Sequence, residues 1–269
     1  MMLSRTSSNA RCLAITLTVF FMASPAQTAF AQDSEWGTLT GRFAFYGEVP
    51  KVEKHDIVRD VDYCGVHGLK DESLIINKYN RGIANIVVWL YSKKPVPVHP
   101  DLKPKPEPVV LDNRDCAFRP HVFRIRTGQT LKAINSDLIP HNVACYAVRN
   151  EPFNLNITAK APAERSFVKP ELKPLRIDCS SHSWMKAYAV VTDHPYSAIT
   201  DKDGRFKIEK LPAGEWEFRF WHERLGYLPK LDGNSVRELK RGGTKLLISK
   251  TKFDLGEMAL RSKLFEPEP

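Results

Sequence analysis

The sequence predicts an all-β chain built as two sandwiches. Three observations carry this. The 19 prolines outnumber the 14 glycines, which opposes long uninterrupted helices. Short alternating segments recur at regular spacing between turn residues, the pattern of a sandwich or barrel. The texture then changes after His194-Pro195. At 269 residues, 42% hydrophobic and 26% charged, the chain has ample apolar content for a core. That composition excludes a disordered or collagenous protein. The formal charge of +9 favours an acidic protein partner. It is spread without a basic stripe, so nucleic acid is excluded as a partner.

Residues 1–31 read as an address. Arg5 and Arg11 are the only charges, residues 12–23 (CLAITLTVFFMA) are apolar, and Ala29-Phe30-Ala31 supplies a small-x-small cleavage site before Gln32. The apolar run is too short to span a membrane comfortably, so no transmembrane anchor is expected after cleavage. A periplasmic or secreted location follows, where disulfides persist.

Residues 36–50 (WGTLTGRFAFYGEVP) alternate as a strand leaving through a glycine turn, and residues 51–72 are charged and irregular. Residues 73–77 and 83–91 (IANIVVWLY) read as strands flanking Asn80-Arg81-Gly82. Six prolines between 95 and 108 make that stretch an extended surface connection. Eight short β segments follow up to residue 192. Beyond residue 196, Asp203-Gly204 and Leu211-Pro212-Ala213-Gly214 mark turns around two alternating strands. The basic stretch 230–252 reads as a solvated face, and His222-Glu223 as a surface hydrogen-bonding pair.

The chemistry sits in Cys179-Ser180-Ser181-His182-Ser183-Trp184-Met185, a loop between strands LRID and AYAVV. A tight loop can aim a thiolate, an imidazole and a thioether at one point, whereas a strand sends alternate side chains to opposite faces. The fourth donor is His141, just after Pro140 at the start of a strand. Two His, one Cys and a weak axial Met are the ligands of a mononuclear type 1 (blue) copper centre that carries single electrons. Asn142 and Ser181 stand beside these ligands, where hydrogen bonds would pin the cysteine loop.

Of the other cysteines, Cys64 and Cys116 are assigned to a disulfide that staples the irregular segment to the sandwich. The alternative is a zinc site using Cys64-x-x-His67 and Cys116-x4-His121. Cys145 shares a strand face with His141 and reads as a buried free thiol. No His-x-His motif is present, which argues against copper-oxidase catalysis and for a non-enzymatic carrier.

Residues 128–137 (GQTLKAINSD), followed by Ile139-Pro140-His141-Asn142-Val143, resemble the strand-to-ligand segment of cupredoxins, amicyanin and plastocyanin among them. The Cys-x-x-His-x-x-Met spacing is similar to the short loop of amicyanin, although Ser183 stands where amicyanin has proline. The resemblance implies a Greek-key sandwich over residues 80–195, copper ligands His141, Cys179, His182 and Met185, and a surface-facing His182 as the electron port. Residues 196–264 resemble a transthyretin-like or carboxypeptidase-regulatory-like β-sandwich through Thr200-Asp201-x-Asp203-Gly204-x-Phe206. Residues 32–79 are expected to contribute a strand to it, and residues 265–269 form a tail. The combination is similar to secreted bacterial proteins sometimes labelled methylamine-utilisation proteins. The rival functions are a periplasmic copper chaperone or scavenger, and an envelope interaction protein with an incidental copper site.

Overall fold

A computed structural model describes residues 36–266 apart from 105–106 and 234–235. The address assigned to residues 1–31 lies outside the described residues. Four sheets carry the fold, which is all-β. In the first, β1 (Trp36–Tyr46) runs antiparallel to β13 (Arg205–Pro212) and parallel to β19 (Lys252–Arg261). In the second, β2 (Val87–Tyr91) lies between β12 (Ser197–Ile199) and β14 (Gly214–His222). The far edge of β14 takes β15 (Gly226–Tyr227) at Trp221–His222 and β18 (Gly243–Ile248) along residues 214–219.

The third sheet has the order β5 (Val122–Arg126), β11 (Lys186–Thr192), β10 (Leu175–Asp178), β7 (His141–Cys145), β8 (Phe153–Ile157). The fourth has the order β4 (Ala117–Arg119), β3 (Val109–Arg114), β6 (Thr130–Asn135), β9 (Ala163–Ser166). A short pair, β16 (Lys230–Asp232) and β17 (Val236–Glu238), completes the strands. The only α-helical turn among the described residues is α1 (Val61–Cys64). Among them, no helix is long and apolar enough to cross a membrane.

Side-chain alternation explains how the sheets stack. On β2, Val88 and Leu90 enter a core shared with Phe43, Phe45, Phe218 and Phe220, whereas Val87 and Trp89 point the other way. On β11, Ala187, Ala189 and Val191 enter the core between the third and fourth sheets, while Tyr188 and Val190 meet Val87, Trp89 and Trp221. Both strands therefore bury both faces, which is why they read as nearly continuous apolar runs. A third apolar layer joins the two sandwiches.

That double burial also displaces one boundary. Residues 83–91 were expected inside the segment 80–195, yet β2 is hydrogen-bonded to β12 and β14 of the second sheet. A strand apolar on both faces carries no mark of the sandwich it joins. Residues 73–77 form no strand; Ile76 and Ile83 make a single bridge. Strands β13 and β14 are separated by Ala213 alone, but they do not pair. The chain crosses there from the first sheet to the second. The Asp203-Gly204 turn needs its glycine: φ is +75°, and a Cβ would lie 2.1 Å from the Phe43 carbonyl oxygen.

His222 corrects another expectation. It lies not at the surface but at 1% exposure, with its Nδ1 accepting from the Arg224 N–H at 3.3 Å. Burial, with the Arg224 guanidinium and His121 nearby, lowers it to about 3. The unfolded chain, with histidine near 6.5, then binds a proton that the native state refuses. This contribution to stability is complete above the unfolded value and is lost as pH falls towards 3, by up to about 1.4 kcal/mol per pH unit. Urea unfolding at pH 7 and pH 4.5 should show a shallower acid loss in His222→Gln than in the native chain. Equal slopes would contradict this account.

Candidate metal centre

The strand β7 delivers His141, and the loop from β10 to β11 delivers Cys179, His182 and Met185. The loop is tight because its ends are tied: Cys179 N–H donates to the Met185 carbonyl at 3.3 Å, and Met185 N–H to the His182 carbonyl at 2.9 Å. Since β10 pairs with β7, the loop arrives beside His141. Donor atoms of His141, Cys179 and His182 lie within 4.8 Å of one another, and all three residues are buried. The two Nδ1 atoms are 3.0 Å apart, and Cys179 Sγ is 3.5 Å from His182 Nδ1. Met185 is buried in the core of the same sandwich, beside Cys179.

Both imidazoles are held from behind by carboxylates. Asp137 Oδ2 lies 2.8 Å from His141 Nε2, and Asp60 Oδ2 lies 2.8 Å from His182 Nε2. Each carboxylate accepts the Nε2–H and so leaves Nδ1 facing the thiolate, the arrangement that orients metal-binding histidines. Asp137 is itself fixed by the N–H groups of Asp115 at 2.7 Å and Cys116 at 2.9 Å. Burial would raise Asp137, but His141 and these N–H groups outweigh it and hold it low.

Charge follows the same geometry. Burial would lower His141, yet Asp137 and the Cys179 sulfur bring it up to about 9. Burial would raise Cys179, yet hydrogen bonds from His141, His182 and the N–H groups of Asn142 and Ser181 bring it down to about 6. The three donors thus meet at one buried point, where the thiolate form of Cys179 is favoured. One thiolate with two imidazoles fits a copper ion of either common oxidation state. Cys145, by contrast, is buried without such partners, and burial pushes it up to about 12.

Asn142 links the two halves of the site. Its N–H donates to Cys179 Sγ at 3.4 Å, its Nδ2 donates to Ser180 Oγ at 3.1 Å, and its Oδ1 accepts from Ser180 N–H. The hydroxyl that meets Asn142 is therefore that of Ser180. Ser181, expected in that role, acts on Cys179 through its backbone N–H.

The larger departure concerns His182. Its expected place was near the surface, but it is fully buried. Asp60 covers its outer nitrogen, and the Trp184 ring lies 5.1 Å from it. Asp60 adopts a left-handed conformation at the start of α1 and gives no side-chain cap to that turn; its carboxylate goes to His182 instead. The turn ends in Cys64, which is disulfide-bonded to Cys116, leaving no cysteine pair for a zinc site. Sequence reasoning missed Asp60 and Asp137. Asp137 lies four residues from His141 and was within reach; Asp60, 122 residues from His182, left no local signal.

No protein-family model matches the chain, and no curated protein sequence matches it. Solved structures match part of it. A copper-containing nitrite reductase from Thermus scotoductus SA-01 is 26% identical over 32% of this chain, with a TM-score of 0.30. The match spans 23% of that protein, under a quarter of its length. An amicyanin variant in reduced Cu(I) form is 18% identical over 33% of this chain and 86% of its own, with a TM-score of 0.28. A purple cupredoxin from Nitrosopumilus maritimus is 21% identical over 30% of this chain and 97% of its own, with a TM-score of 0.26. Overlaps this slight assign neither a family nor a metal to the chain.

Proposed function

We propose that this chain is an exported, non-enzymatic, mononuclear type 1 copper protein that carries one electron at a time. The observation that carries the reading is the convergence of His141 Nδ1, Cys179 Sγ and His182 Nδ1 within 4.8 Å, with both Nε2 atoms pinned by carboxylates. His141, Cys179 and His182 would hold the ion, with Met185 as the weak axial ligand. Copper bound there supplies reversible one-electron chemistry between Cu(I) and Cu(II).

The protein's part is rigidity. Asp137 and Asp60 fix the imidazole planes, Asn142 ties the cysteine loop to β7, and the apolar core around Val143, Ile177 and Ala187 keeps water away. A fixed ligand frame suits electron transfer because little rearranges between oxidation states. It suits hand-over of copper to an acceptor poorly, since the ligands lie under a disulfide-stapled cover. We assign residues 109–192 to the copper-bearing sandwich. Residues 36–46, 87–91 and 196–261 form the second, of carboxypeptidase-regulatory-like type. The N-terminal address directs the mature chain to the periplasm or outside the cell, where an acidic redox protein is the expected partner.

Protein-film voltammetry of the copper-loaded chain tests the carrier. A reversible one-electron wave, with copper retained against a Cu(I) chelator, is the expected result. An irreversible wave with rapid loss of copper to the chelator would point to metal handling instead.

A further inference from the structure

Where β11 crosses to β12, between the two sandwiches, lies a cleft of about 360 Å³ that shares no residue with the metal centre. Strand β5 forms one wall. It is the edge of the third sheet, and alternate residues along it share a face. Val122 enters the apolar layer between the sandwiches, and Arg124 and Arg126 continue that face into the cleft. No aspartate or glutamate is among the described residues that line it. His194 lines it too, but its Nδ1 accepts from the Tyr196 N–H at 3.2 Å and burial lowers its pKa, so it adds no charge.

Neutral acceptors hold both guanidinium groups. Arg124 donates to the Ser197 carbonyl. Arg126 donates to the Leu102 carbonyl at 2.8 Å and to the Asp193 carbonyl at 3.4 Å. Its Nε is buried with no acceptor among the described residues. The Asp193 charge reaches Arg126, yet that carboxylate is exposed and lies 4.0 Å from His194 Nε2. No charged neighbour acts on Arg124, whose side chain still reaches solvent. Desolvation lowers both arginines from their ordinary value. The fold thus withdraws water from two positive charges and leaves them short of counter-charge.

We propose that this cleft binds a phosphate dianion, free or as the end group of a small phosphate monoester. Two guanidinium charges match a dianion. Phosphate oxygens point in several directions, so each arginine donates to its own, in the paired geometry that guanidinium favours. The volume lies at the low end for ligand pockets and leaves room for a small organic group beyond the phosphate. The half-buried Val109 and Pro195 receive that group. Binding requires no metal, so its test is independent of the carrier reading.

Inorganic phosphate, glycerol 3-phosphate and acetate are titrated calorimetrically into the full chain in a phosphate-free buffer of low ionic strength, without added metal. Saturable binding of both phosphates, at least about tenfold tighter than acetate, is expected. Tighter binding of glycerol 3-phosphate identifies a monoester as the ligand, and tighter binding of inorganic phosphate identifies the free ion. Arg124→Gln should weaken phosphate at least about tenfold, and Arg124→Lys, which keeps the charge but not the fork, should recover only part of it. Lys202→Gln, which removes an exposed charge outside the cleft, should change nothing. No saturable heat, equal affinity for phosphate and acetate, or equal losses in Arg124→Gln and Lys202→Gln would overturn the proposal. The ligand series on the native chain decides the matter even where a variant fails to fold.

Discussion

Replacing Cys64 and Cys116 together with alanine is expected to lower the unfolding free energy by about 4 kcal/mol, the loop-closure entropy of a link across some fifty residues. The bond joins positions 52 residues apart, and both sulfurs are fully buried. It anchors the turn α1, whose leading residue Asp60 holds His182. A second effect should therefore accompany the first. Once the anchor is gone, the Asp60–His182 contact depends on a four-residue turn tied to the sandwich by the Tyr63 hydroxyl, which donates to Asp137 at 3.3 Å and accepts from the Leu138 N–H at 3.1 Å, and His182 should become more reachable from solvent. Urea unfolding of the native and doubly substituted chains measures the first effect. Hydrogen exchange at the His182 ring measures the second. A loss below about 1 kcal/mol with unchanged protection would show that the cover holds itself in place.

Asp137→Ala is expected to damage both stability and metal binding. This one carboxylate accepts from His141, Asp115 N–H and Cys116 N–H, at 2% exposure. Removing it strands buried donors, at a cost of about 1–3 kcal/mol each. It also frees the His141 ring to rotate, which should weaken copper affinity by about 10–100-fold. Asp137→Asn separates the two consequences. The amide oxygen can still accept from one neighbour, but the charge that raises His141 is gone. The asparagine variant should recover part of the stability while the metal-free His141 titrates below its native value of about 9. Equal copper affinity in all three chains would show that Asp137 serves the fold alone.

Much of the fold was legible because local chemistry set it. The Asp203-Gly204 turn needs a glycine at positive φ, Pro140 precedes the strand that starts at His141, and the described residues of the proline-rich stretch between 95 and 108 join no sheet. The meeting of Cys179 with His182 was legible for the same reason, since the two lie in one short loop. What could not be read depends on long-range pairing. Strand β2 is apolar on both faces, so its pattern could not reveal which sheet it joins. His222 looked like a strand-end surface residue because its burial comes from other segments, among them Phe265, whose ring lies edge-on to it at 5.6 Å. The cover over His182 is the clearest case. Asp60 lies in a charged, irregular stretch whose composition suggests solvent. Only the disulfide and the turn it anchors bring that carboxylate onto a buried imidazole.

On the proposed function, His141, Cys179 and His182 together form a copper site of the thiolate type. Its most direct measurement is the visible absorption and electron paramagnetic resonance of residues 32–269 with one equivalent of Cu(II), beside the same chain carrying Cys179→Ser. The account predicts an intense thiolate-to-copper band with narrow copper hyperfine splitting in the native chain, both absent from the variant while the β fold persists. A pale spectrum with wide splitting, identical in the two chains, would contradict it.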